Sequence, residues 1–226
     1  AMRQEPIPGH LYPQCVYAPR HQPVSAWPMP GEETPLMHTD RAYPVVVAGR
    51  TLFFGNNVDN HVYAMATRTG SKRWSYAVDG SVRFAPVVDG RRLFFGSDDG
   101  HAYCLRADDG ELVWKHKPAE NNGLVLNNGR FISFWPCRTG VLVEDGIAYF
   151  AAAMLPWKAS YLCAVDALTG LPGGEGQYGI GECYEQMAKD VTGNNDQMFE
   201  RAFQAYKAVF EQFPESGRVG DAVAKM

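Results

Sequence analysis

The residues that could do chemistry gather first in "SDDGHAYC", Ser97 to Cys104, where Asp98, Asp99, His101 and Cys104 stand within a few positions. Paired carboxylates suit a hard cation, and imidazole with thiolate suits a softer metal. An earlier stretch, "NVDNHVYA", repeats the pattern with Asp59 as its single acid, so the expectation is a solvated hairpin turn. His61 and His101 hold one repeat position, each two residues before a tyrosine, which fits a strand edge better than a ligand pair. Cys104 and Cys163 are expected to share a repeat position beside the core, as small buried side chains.

Other chemical patterns carry less. "GEGQYG", Gly174 to Gly179, spells G-x-G-x-x-G ahead of a helical stretch, but a dinucleotide site needs a following parallel strand and a ribose-binding acid, and the tail offers only helices. The five cysteines (Cys15, Cys104, Cys137, Cys163 and Cys183) are odd in number and never spaced C-x-x-C, which excludes zinc-knuckle and haem-attachment patterns. Nucleophile elbows, H-E-x-x-H and phosphate loops do not occur in the sequence, so no enzyme assignment follows. A net charge of −4 with interspersed signs speaks against nucleic acid as a partner. No apolar run has the length of a membrane-spanning helix and "AMRQEPIPGH" lacks the centre of a secretion signal, so the expectation is a soluble chain without membrane insertion.

Three zones would position these residues. Residues 1–43 form a proline-rich extended arm, nine of the fifteen prolines falling by Pro44, and Tyr12, Tyr17 and Trp27 lead us to expect that it lies on a folded surface. Residues 44–170 alternate short apolar runs with Gly, Asp and Asn turns, the pattern of antiparallel strands. This zone repeats itself: Gly55 aligns with Gly96, Gly70 with Gly110 and Trp74 with Trp114, at spacings of 41, 40 and 40 residues. A third copy runs through "GVLVEDGIAYF" and "YLCAVDALTG". A period near 40 with several strands per copy is the mark of propeller blades.

"AMATRTGSKRW", with Ala64, Thr69, Gly70 and Trp74, resembles the A-x-D-x-x-T-G-x-x-x-W motif of the PQQ-like β-propeller repeat, as found in quinoprotein dehydrogenases and BamB-like envelope proteins. The second copy keeps Gly110 and Trp114. The third keeps Ala164, Asp166, Thr169 and Gly170 but has Gly174 at the tryptophan position. The turn glycines supply a backbone angle that other residues avoid, and the tryptophans are expected to pack between blades. The resemblance implies four-stranded antiparallel blades, about three and incomplete, and a periplasmic, envelope or extracellular setting. In the dehydrogenases it also implies adjacent cysteines, a stacking tryptophan and calcium-binding acids around PQQ; with no Cys-Cys pair here, the expectation is no cofactor.

From residue 178 the pattern becomes helical. Phe199, Ala202, Phe203, Tyr206, Val209, Phe210 and Phe213 fall on one helical face, and Pro214 ends the run. Gly181, Tyr184, Ala202, Tyr206 and Pro214 resemble the packing positions of a tetratricopeptide (TPR) repeat with "AKDVTGNND" inserted, and the expectation is one helical hairpin and the start of a further helix over 178–226. Residues 171–177 read as a Gly-rich junction, natural, fused or spliced. Too few blades to close require a protein partner, self-assembly or the arm to cover their edges. The function expected is a non-catalytic interaction or scaffold module of a larger envelope or extracellular assembly. The alternatives are a fragment of a PQQ-dependent oxidoreductase and a structural subunit of a filament or particle.

Overall fold

The computed structural model describes residues 43–119, 121–127, 130–155, 157–158, 160–190 and 195–226. The expectations for the arm, including Tyr12, Cys15, Tyr17 and Trp27, and for Val191 to Asn194 of the helical insertion, lie outside them.

Among the described residues the repeats form antiparallel sheets in simple chain order. The first blade is β1 (Val45–Ala48), β2 (Thr51–Asn56), β3 (His61–Ala66) and β4 (Lys72–Ala77). The second is β5 (Val87–Asp89), β6 (Arg92–Gly96), β7 (Ala102–Arg106) and β8 (Leu112–His116). A two-stranded hairpin, β9 (Leu124–Asn127) and β10 (Arg130–Ser133), precedes a three-stranded blade of β11 (Leu142–Glu144), β12 (Ile147–Ala152) and β13 (Tyr161–Asp166). Three helices follow: α1 (Gly174–Asp190), α2 (Asp196–Gln212) and α3 (Val219–Lys225).

Side chains alternate across each strand, so each blade has two faces to bury. Phe53, Val62, Ala64 and Trp74 of the first blade pack against Leu93, Phe95, Tyr103 and Leu105 of the second. The other face of the second blade, with Phe94, Ala102, Cys104 and Trp114, packs on Ala148, Phe150, Cys163 and Val165 of the third. Burial on both sides is why "LFF" of β6 is continuously apolar.

The tryptophans hold these interfaces in register. Trp74 Nε1 donates to the Ala107 carbonyl at 3.0 Å, and Trp114 Nε1 to the Ala167 carbonyl at 3.1 Å. Each indole lies on the turn glycine of the next blade: a Cβ on Gly110 would come within 2.6 Å of Trp74, and one on Gly170 within 2.5 Å of Trp114. Those glycines also carry φ of +79° and +71°, so both room and backbone angle demand glycine. Gly70 has the same turn, with φ +66° and its N–H donating to the Ala66 carbonyl at 2.8 Å. Thr169 Oγ1 donates to Asp166 Oδ1 at 2.9 Å and braces the third turn.

Two expectations about the blades are corrected. Arg106 N donates to the Glu111 carbonyl as Asp166 N does to that of Leu171, so Cys104 matches Ala164, and Cys163 matches Tyr103. A shift of one residue inverts the face, and the two cysteines enter the same interface from opposite sheets instead of sharing a repeat position. The Gly-rich stretch 171–177 is no separate junction: Pro172 bridges to Val165 as the stub of a fourth strand, and Gly174–Gln177 already belong to α1.

The helices cover the face of the third blade that is turned away from the second. Ile180 of α1 and Ala205 of α2 pack on Ala164, with Ile147, Tyr149, Leu162 and Tyr184 around them. Close approach rests on two glycines, since a Cβ on Gly176 would meet Ala164 at 2.9 Å and one on Gly179 the Tyr149 hydroxyl at 2.8 Å. Gly181 does the same for α2, where Tyr206 would lie 2.5 Å from its Cβ. The buried face of α2 is therefore Ala202, Ala205, Tyr206 and Val209. This rotates the expected face: Phe199, Phe203 and Phe210 are 47%, 39% and 51% exposed, because the tight helix pair admits alanines where phenylalanine does not fit. Tyr184 is partly buried in the same packing, and Pro214 follows the Phe213 cap of α2.

At the far end of the pair, Glu185 accepts from Lys189 and Lys225, each at 2.7 Å, and from the Tyr206 hydroxyl at 3.0 Å. The two ammonium groups and the hydroxyl hold its carboxyl near pKa 2, against an ordinary value of 4.5. A depressed carboxylate stabilises the fold fully above its unfolded pKa, and the contribution is lost as pH falls through the folded one. The urea midpoint of helix unfolding should therefore drop between about pH 4.5 and about pH 2, and Glu185→Gln should flatten that part of the profile. Trp114→Ala, which removes a side chain 7% exposed between blades, should lower the unfolding free energy by about 3–5 kcal/mol in denaturant titration.

Candidate functional site

The β6–β7 turn that held the candidate acids is not solvated. Asp98 is 1% exposed, taking the Arg83 Nε at 2.8 Å on one oxygen and the Arg138 Nε at 2.7 Å on the other. Arg138 Nη2 adds a second bond at 3.1 Å. Its backbone is equally committed: Asp98 N donates to the Ser81 carbonyl at 3.0 Å, and its carbonyl accepts from Ser133 N at 2.9 Å. One carboxylate thus ties the β4–β5 loop, the β6–β7 turn and the segment after β10. A buried carboxylate is costly unless paired, and two guanidinium groups provide the pairing.

Asp99 and Asp59 are likewise used internally. Asp99 accepts from His101 N at 2.9 Å and from the Tyr103 hydroxyl at 2.7 Å, while His101 Nδ1 lies 3.1 Å from the same carboxylate. In the first blade, Asp59 accepts from His61 N at 3.2 Å and from the Tyr63 hydroxyl at 2.6 Å, with His61 Nδ1 at 2.7 Å from its carbonyl. Burial alone would raise the Asp99 carboxyl, but the bonds from His101 and Tyr103 outweigh it and hold it below the usual range. Burial and the adjacent Asp99 charge push the Tyr103 hydroxyl well up, so that it keeps its proton and donates. The two histidines are each tied to their own blade's aspartate.

Three of the described thiols are held protonated inside the blades. Cys104, Cys137 and Cys163 are buried and unbridged, and burial pushes Cys104 and Cys163 up to about 12 and Cys137 higher still. Cys183 is exposed on α1. Among the described residues no group of three or more His, Cys, Asp or Glu is placed to hold a metal ion. No two cysteines are adjacent in the sequence, and the indoles of Trp74 and Trp114 are stacked on Gly110 and Gly170.

The β9–β10 hairpin exposes an apolar face. Arg130 anchors the β9–β10 hairpin across the first blade, donating to the carbonyls of Asn57 at 3.0 Å and Val58 at 2.6 Å and to Asn60 Oδ1 at 3.1 Å. Above that anchor Leu126 lies directly opposite Phe131, and Leu124 is two residues along the same face. They are 58%, 69% and 57% exposed. Sequence reasoning missed this hairpin, although "LVLNNGRF" carries the Asn-Gly signal of a two-residue loop. It also missed Arg83 and Arg138, which lie 15 and 40 residues from Asp98 and leave no local pattern.

At the opposite end of the strands a groove of about 940 Å³ follows the seam between the third blade and the helices, lined by Glu144, Asp145, Asp166, Glu175 and Arg218. Arg218 is spent on Glu175 at 2.8 Å and Asp221 at 3.2 Å. The G-x-G-x-x-G stretch is part of this seam, its Gly176 and Gly179 pressed on the blade.

A family model described as outer membrane protein assembly factor BamB matches residues 26–171, more than half of the chain. Solved structures similar to it include a europium-containing methanol dehydrogenase (18% identity, TM-score 0.46, over 58% of this chain and 24% of that one). BamB from Moraxella catarrhalis gives 16% identity and a TM-score of 0.34 over 58% of this chain and 50% of its own. The computationally designed Ika4 protein gives 15% and 0.43 over 64% and 78%. The chain thus spans about a quarter of that dehydrogenase and half of the Moraxella protein. A search of curated proteins gives no match.

Removing the central carboxylate isolates the buried charges around it. Asp98→Ala should cost about 3–5 kcal/mol in urea unfolding, whereas Asp108→Ala, which breaks an exposed pair with Arg91, should cost less than about 1 kcal/mol.

Proposed function

This chain belongs to the family of the outer membrane protein assembly factor BamB, and from that membership we propose that it is a non-catalytic protein-interaction module of a cell-envelope assembly. The observation that carries the reading is the contrast between its polar and apolar groups. The carboxylates and imidazoles of the blade turns are consumed in pairs and knots that stabilise the turns themselves. What is presented outward is the Leu124, Leu126 and Phe131 face of the β9–β10 hairpin. Exposed apolar side chains on a rigid, anchored ribbon lose little entropy on docking and gain the burial of their own area.

The phenylalanines of α2 add a second surface. Phe199 and Phe203 border a groove with Tyr206 and Met226, a place that a further helix of a repeat array would fill. Our reading of the tail as TPR-like is supported by the close packing of Tyr206 on Gly181 within the helix pair.

The partner proposed from the family name is a component of the outer-membrane protein assembly machinery, and the setting is the periplasmic side of the envelope. Purified chain should bind that machinery in a pull-down from defined components, and Leu126→Asp with Phe131→Asp should weaken binding at least about tenfold with unchanged thermal unfolding. Undiminished binding by the double variant would remove the hairpin from the interface. Dye-linked alcohol oxidation on adding PQQ and calcium would overturn the non-catalytic reading.

A further inference from the structure

The groove between the third blade and the helices carries one sign of charge. One wall is a stripe of α1 in which Glu175, Tyr178, Gly179 and Glu182 recur at the helical period, and the facing wall is the β11–β12 hairpin with Glu144, Asp145 and Tyr149. Asp166 and, from the loop after α2, Glu215 add to them, so six carboxylates line the groove against the single guanidinium of Arg218. Asp166 is taken up by the turn at Thr169, and Glu175 by Arg218. Among the described residues the carboxylates of Glu144, Asp145, Glu182 and Glu215 accept no hydrogen bond and form no ion pair. A cleft lined by one sign of charge concentrates the opposite sign within it.

The groove already holds one cation, and that cation shows how the walls do it. The Arg218 guanidinium lies 5.2 Å from the centre of the Tyr178 ring and donates to Glu175 at 2.8 Å, so an aromatic face and a carboxylate share it. The same combination recurs at Tyr149. Burial pushes its hydroxyl above the usual range, and the charges of Cys183, Glu144, Glu182 and Asp145 push it further, so three of the unpaired carboxylates act on this one phenol. Its hydroxyl sits against Gly179 in the α1 wall. Tyr178, itself only 8% exposed, and Tyr149 have no hydrogen bond on their hydroxyls among the described residues, although a buried phenol normally finds a partner. A phenol oxygen accepts from an N–H as well as donating. The carboxylates are spread along the seam, from the β11–β12 turn to the loop after α2, and no group of three or more converges as a metal site would require. The occupant they suit is therefore an extended organic cation, for which a volume of about 940 Å³ is adequate.

We propose that this groove binds an extended basic peptide segment, which places an arginine or lysine side chain on Tyr149 between Glu144 and Glu182, as Arg218 lies on Tyr178 beside Glu175. The site belongs to the junction of blade and helices, at the opposite end of the strands from the β9–β10 hairpin, and does not depend on what the hairpin binds.

Calorimetric titration of the full chain with an oligo-arginine peptide should show saturable binding that weakens as salt is added. Glu144→Gln with Glu182→Gln, both exposed positions, should weaken it at least about tenfold while thermal unfolding stays the same. Asp79→Asn with Asp108→Asn removes as much charge from exposed positions outside the groove and should leave the affinity nearly unchanged. Absence of saturable binding, or equal weakening by the two double variants, would overturn the proposal. Spermidine bound as tightly as the peptide would overturn the peptide assignment in favour of a polyamine.

Discussion

The seating of an indole on a glycine turn is the constraint from which the β part of the structure follows. A blade edge is marginal alone, and what fixes its neighbour at one distance and one register is a flat ring of large area with one polar handle. The hydrogen bonds from Trp74 to Ala107 and from Trp114 to Ala167 use that handle. The glycine meets two demands together: a positive φ for the turn, and an absent Cβ for the ring above it. The repeat therefore conserves a contact between blades, not a contact within one, and each copy is complete only through its neighbour.

Termination of the array follows from the same logic. The third blade reaches its turn at Gly170, seats Trp114, and then has Gly174 where the other two blades have their tryptophan. Pro172 and Gly173 stop the fourth strand after one bridge, and α1 covers the face that a further blade would have buried. Glycines again set the distance, here between helix and sheet. The cost is that Phe199, Phe203 and Phe210 of α2 are left exposed.

Polar groups in the turns serve the same architecture. Asp98 gathers two arginines from distant segments, and the Asp–His–Tyr knots repeat in two blades with nearly the same geometry. Such groups look reactive in a sequence because their types are those of active sites. In the structure their lone pairs and protons are already assigned to one another, while the apolar face of the β9–β10 hairpin is exposed.

Periodicity determined a great deal from the sequence alone. Strand alternation, the spacing of Gly70 with Gly110 and of Trp74 with Trp114, and the stop at Pro214 are local or strictly repeated signals, and they specified antiparallel blades followed by helices. Tertiary structure decided whatever depended on partners distant in the chain. Asp98 reads as a solvated turn because Arg83 and Arg138 are far away in sequence. The inner face of α2 reads as phenylalanine because hydrophobicity, and not the glycine-lined surface it meets, is what a helical period reports. Cys104 and Cys163 were separated by a single residue of register, which composition cannot count but a β-ladder enforces, since its two faces exchange with every residue.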